Sequence, residues 1–199
     1  MTIKPQPRRN NALAWLALGI AIGLPIGAAA FSPLLEWRSP IYIVAGFAGI
    51  VAFGLLFVQP LLARGFLPGL TLMQARSIHR MIGEMVVAAV LVHVGGLWLT
   101  SPPDVIDALL LRSPTPFSVW GVIAMWAVFA TAILALLRKR LRLTPRTWRG
   151  SHATLTLIIV LCTALHAILI QGAMEPVTKA ILALLVPAAS LRAWWRVRI

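Results

Sequence analysis

Four histidines stand out by type and spacing: His79, His93, His152 and His166. They form two sets, 79 with 93 and 152 with 166, each separated by 14 positions. On an α-helix 14 residues rise about 21 Å and return to nearly the same face. Two imidazoles that far apart cannot share one metal ion. A zinc site would use closer ligands, such as i and i+4, and more of them. Two helices running in the same direction would instead place His79 level with His152, and His93 level with His166. Each level then offers one imidazole from each helix, enough to clamp a flat macrocycle by its central iron, and bundle cores are common places for such cofactors. The expectation is two b-type haems stacked along the membrane normal, with irons about 20 Å apart by the helical rise. A haem with both axial positions filled by histidine favours electron transfer over oxygen binding.

The elements that must position these residues are membrane helices. Of the 199 residues 60% are hydrophobic and 12% charged, whereas a soluble domain carries about 25% charged residues. The excess apolar surface has to face lipid. A span needs about 20 mostly apolar residues, and six such runs are expected near 12–31, 41–63, 77–100, 117–137, 151–173 and 176–195. Short tails at 1–11 and 196–199 would flank one domain. Arg8, Arg9, the first apolar run and Ala28-Ala29-Ala30 also resemble a signal peptide, but the run is long for that role and an uncleaved helix is expected. The single cysteine, Cys162, sits in an apolar run. It excludes an intramolecular disulfide and a C-x-x-C-H haem attachment, so any haem is held by ligation alone.

Charge fixes the direction of the spans. The formal net charge is +13, which on a soluble surface would suggest nucleic acid. Here the basic residues lie in short loops, and no nucleic-acid partner is expected. Lys4, Arg8 and Arg9 precede the first span. Arg64, Arg76 and Arg80 lie between the second and third. Arg138, Lys139, Arg140, Arg142, Arg146 and Arg149 lie between the fourth and fifth, and Arg192, Arg196 and Arg198 come at the end. Only Arg38, Arg112 and Lys179 fall on the other side, with four of the five acidic residues. The alternation fits an all-α, polytopic six-helix bundle with both termini cytoplasmic. It sets the third and fifth spans parallel, making His79/His152 the inner pair and His93/His166 the outer pair. Most of the tryptophans, Trp37 and Trp148 among them, fall near the expected interfaces.

Neighbouring residues suit this arrangement. Arg76, Arg80 and Arg149 lie at the inner level and could pair with haem propionates, although the positive-inside bias also accounts for them. Gly83, Gly95 and Gly96 could make room for the macrocycle or serve close helix packing. Glu84 is the one acidic residue within a span, rotated off the histidine face, and could handle protons or a quinol headgroup or simply bond another helix.

The segment Arg76-Ser77-Ile78-His79-Arg80-Met81-Ile82-Gly83, followed by His93, resembles the third helix of the ferric reductase-like transmembrane domain. Trp148-Arg149-Gly150-Ser151-His152, followed by His166, resembles its fifth. This family includes ferric reductases, NADPH oxidases and the haem-binding membrane subunit of the periplasmic methionine sulfoxide reductase system. The resemblance implies a six-helix bundle with two b haems ligated by helices three and five. No loop is long enough for the cytoplasmic flavin and nicotinamide domain that the larger members carry, and three residues follow Arg196. The size resembles the stand-alone methionine sulfoxide reductase subunit. That subgroup can lack one inner histidine, so the complete set here fits the general family better. The expected role is an electron-transfer subunit of an oxidoreductase in a bacterial inner membrane. Its donor would be a separate cytoplasmic flavoprotein or quinol, with flavin or quinone as further cofactor on that side. Its acceptor would be an extracytoplasmic protein or a small oxidant. The competing expectation is a haem-free transporter or permease using the histidines as a proton or metal relay.

Overall fold

A computed structural model describes residues 8–195, and among them all regular structure is helical. Lys4, Arg196, Arg198 and the outermost parts of both expected tails lie outside the described residues. The helices are α1 (Arg8–Ala30), α2 (Pro40–Ala63), α3 (Leu72–Thr100), α4 (Pro102–Leu109), α5 (Ser118–Leu137), α6 (Pro145–Leu169) and α7 (Pro176–Trp195), with a 3-10 turn at Pro33–Leu35. All but α4 are long and apolar enough to cross a membrane. The protein is a six-span, all-α integral membrane protein.

Two spans begin earlier than their apolar runs suggest. The third starts at Leu72 rather than near residue 77, because Thr71 and Gln74 form a capping box that satisfies the first turn. The fifth starts at Pro145, where Thr144 accepts a hydrogen bond from the Thr147 N–H and proline takes the first helical position. It ends at Leu169 rather than 173, because Ile170 turns to extended backbone. Hydropathy marks only the part of a helix that lies in lipid, while caps mark where it begins. The first turns of both helices therefore lie before their apolar runs. The short α4 was not expected. Its eight residues are too few for a recognisable apolar run.

The bundle pairs α2 with α3 and α5 with α6, and α7 closes against α6 and α2. The main core joins Phe53 and Leu56 of α2, Val86 of α3, Val128 of α5, Val160 and Ala164 of α6, and Leu182 and Val186 of α7. A second cluster around Val58, Leu62 and Ala75 takes Leu18 and Ile22 of α1. The outward faces keep large apolar side chains exposed, including Leu91, Trp126, Ile133 and Leu184. In water such a surface would drive association, whereas in lipid it costs nothing.

Candidate functional site

The four histidines meet in two tiers. The His79 and His152 ring centroids lie 6.2 Å apart, with their planes at 69°. Those of His93 and His166 lie 6.5 Å apart, at 79°. α3 supplies the first member of each pair and α6 the second.

In the second tier, both rings are anchored to backbone. His93 Nδ1 lies 2.7 Å from the Ala45 carbonyl oxygen on α2. His166 Nδ1 lies 2.9 Å from the Phe117 carbonyl oxygen at the start of α5. A carbonyl oxygen only accepts, so each Nδ1 carries the proton and donates it. That leaves the Nε2 lone pair of a neutral ring free to bind a metal. The two rings border a cavity of about 530 Å³ between α2, α3, α5 and α6. It is lined by apolar residues, Phe53, Val90, Met125 and Val128 among them, and by polar ones that include Arg38, Ser101, Asp104 and Lys179.

The first tier is held differently. His79 Nδ1 donates to the Gln59 carbonyl oxygen at 3.2 Å, and Gln59 Nε2 donates back to the His79 carbonyl oxygen at 3.2 Å. His152 Nδ1 is buried with no hydrogen-bond partner among the described residues. Its ring is instead stacked on Trp148, with centroids 5.1 Å apart and planes at 22°. The Arg138 guanidinium lies 4.9 Å from the Trp148 ring.

Among the described residues no three His, Cys, Asp or Glu side chains gather closely enough to hold a metal ion. Each tier offers two imidazoles and no third side chain, so a metal held there needs its other donors from a bound group. Arg76, Arg80 and Arg149 are exposed in the N-terminal parts of α3 and α6, at the first-tier end. Glu84 is exposed on α3 and belongs to neither tier. Cys162 is buried and unpaired.

Of the three glycines, the structure gives one the close-packing role. A Cβ on Gly96 would come within 2.7 Å of the Ala45 Cβ, so this residue serves close α2–α3 packing. Gly83 faces the Gln59 side chain, and a Cβ on Gly95 would meet nothing within 4 Å. None of the three borders the second-tier cavity. Sequence reasoning missed Gln59, although a lone amide inside a 24-residue apolar helix is a signal that could have found it. It placed Trp148 at the interface without a role. The Ala45 and Phe117 carbonyls carry no side-chain signal at all.

Residues 45–163 match the family model described as the ferric reductase like transmembrane component. The chain belongs to this family. No curated protein and no solved structure matches it. The ferric reductase-like stretch runs from Ala45, whose carbonyl holds His93, to Thr163, three residues short of His166. It contains most of α2, all of α3 and α5 and most of α6, with three of the four histidines, His79, His93 and His152. Membership in the ferric reductase-like family points to electron transfer across the membrane.

Proposed function

We propose that this ferric reductase-like protein is a di-haem b electron carrier, with His79 and His152 ligating one haem and His93 and His166 the other. The observation that carries this reading is the ring separation. A metal–nitrogen bond of about 2.0 Å and roughly 1.2 Å from nitrogen to ring centroid would put two imidazoles on opposite sides of one metal about 6.4 Å apart, centroid to centroid. The two tiers measure 6.2 and 6.5 Å. Three of the four Nδ1 atoms donate to backbone carbonyls, which leaves Nε2 as the ligand atom. The unpartnered His152 Nδ1 does not oppose this, because ligation falls on the other nitrogen. A cavity of about 530 Å³ lies within the range of small-molecule and cofactor sites.

A haem held by His79 and His152, or by His93 and His166, would supply one-electron transfer chemistry. The protein's own contribution is to hold the imidazoles, exclude water with the apolar walls and keep the two tiers one electron hop apart. The basic end of the bundle is the cytoplasmic one. Arg76, Arg80 and Arg149 lie at that end and would pair with propionates of the first-tier haem. Electrons enter at this end from a separate flavoprotein or quinol, with a flavin or quinone as the immediate donor. They leave from the second tier to an extracytoplasmic protein or small oxidant, across a bacterial plasma membrane.

The test is direct. The full chain, purified in mild detergent from haem-replete cells, is expected to show a reduced-minus-oxidised b-type spectrum with two haems per chain. A colourless protein overturns the reading and favours a haem-free histidine relay.

A further inference from the structure

The second tier contains a device that appears twice. His93 donates to the carbonyl of Ala45, and the residue four positions on is Gly49. His166 donates to the carbonyl of Phe117, and the residue four positions on is Gly121. In an α-helix the carbonyl of residue i points toward the N–H of residue i+4. The side chain at i+4 leans back toward the helix N-terminus, over that same carbonyl. A helical carbonyl is therefore normally shaded by the i+4 side chain and engaged by the i+4 N–H. The Gly121 N–H does engage the Phe117 oxygen, at 3.2 Å, so this carbonyl accepts two donors.

Glycine removes the shade, and the imidazole takes its place. A Cβ on Gly49 would stand 2.9 Å from His93 Nδ1 and 3.0 Å from its Cε1. A Cβ on Gly121 would stand 2.7 Å from His166 Nδ1 and 2.9 Å from its Cε1. Both approaches are closer than real Cβ contacts allow, so an alanine would force the ring off its carbonyl. The first tier lacks the device. The residue four positions after Gln59 is Ala63, the Gln59 bond is longer at 3.2 Å, and His152 Nδ1 has no carbonyl partner among the described residues.

We propose that Gly49 and Gly121 are positioning residues that lock His93 and His166 with Nδ1 protonated and Nε2 facing the space between them. Each glycine opens one helical carbonyl to one imidazole. As axial ligands, which rests on the di-haem reading, the two histidines gain basicity from these bonds and favour the oxidised iron. The tautomer lock itself does not depend on that reading.

The experiment uses the full chain in detergent, labelled with 15N-histidine and held reduced, where low-spin iron is diamagnetic. The expected result is two slowly exchanging Nδ1–H groups assigned to His93 and His166. Gly49→Ala should remove the His93 signal and Gly121→Ala the His166 signal. Each should also raise the potential of one haem, or abolish that haem, and leave the other unmoved. Gly23→Ala, on open space in α1, should change neither. A wild-type spectrum with His93 or His166 protonated at Nε2 instead overturns the proposal without any variant. So do alanine variants with both signals and both potentials unchanged. Nδ1–H signals in a chain that binds no haem would uphold the lock and defeat the di-haem reading alone.

Discussion

The two histidine tiers come from the same two helices and present nearly the same ring separation, yet they are held by different means. In the second tier each imidazole is fixed by a backbone carbonyl at under 3 Å and backed by a glycine. In the first tier one imidazole is clamped by Gln59 at 3.2 Å, and the other has an unpartnered Nδ1 and rests on Trp148. Backbone carbonyls of a rigid helix move little. His79 also bonds a backbone carbonyl, but at the longer 3.2 Å, and the indole stacked on His152 yields more readily, since it turns about its own bonds. The difference teaches that equal ligand geometry does not mean equal ligand retention. The first tier is the more adaptable site.

The largest expected effect tests the pairing itself. His93→Ala or His166→Ala should remove the same one of two haems, and His79→Ala or His152→Ala the other, read as haem per chain in the reduced-minus-oxidised spectrum. A common loss on mutating His79 and His93 would break the two-tier scheme. Smaller, and aimed at the contrast between tiers, is ligand exchange. The reduced protein exposed to carbon monoxide should show a partial difference spectrum from the first tier, where His152 lacks a second anchor. The same spectrum arising from the second tier would reverse the comparison.

Gln59→Leu should weaken only the first tier. It removes one hydrogen bond to the His79 carbonyl, about 1 kcal/mol, and also the buried Gln59 Oε1 that has no partner among the described residues. The two changes offset in part, so a modestly faster first-tier haem loss on warming is expected, with the second tier as internal reference. The smallest effect lies outside both tiers. The Glu175 carboxylate accepts from the Val177 and Thr178 N–H groups at the start of α7, which holds its pKa below the ordinary carboxylate range. Its contribution to stability is present above the unfolded-state pKa and lost as pH falls through the lower folded one. Glu175→Gln should therefore leave both haem spectra unchanged and flatten the acid side of the melting-temperature profile. A change in either haem would show that α7 reports on the tiers.

Much of the bundle was legible because lipid imposes a simple rule. Long apolar runs with basic residues in alternate loops left little choice of span number or direction. The matched spacing of 14 then brought His79 to His152 and His93 to His166. Helix ends were less legible, since Thr71 with Gln74, and Thr144 with Pro145, begin helices outside the apolar layer. The glycines that face the second-tier rings, Gly49 and Gly121, were overlooked for a related reason. Gly83, Gly95 and Gly96 are near the histidines along the chain, but space around a ring is made by the helix facing it. That helix is α2 for His93 and α5 for His166.

By itself, then, the sequence determined the medium, the number of spans, their direction and which histidines share a depth. These follow from side-chain hydropathy, charge and helical periodicity, all local or cumulative along the chain. Only the tertiary structure decided what holds each imidazole. The anchors are main-chain carbonyls of Ala45, Gln59 and Phe117, identical in kind to every other carbonyl in the protein. What singles them out is which helix packs against which, and where a missing Cβ leaves one of them open.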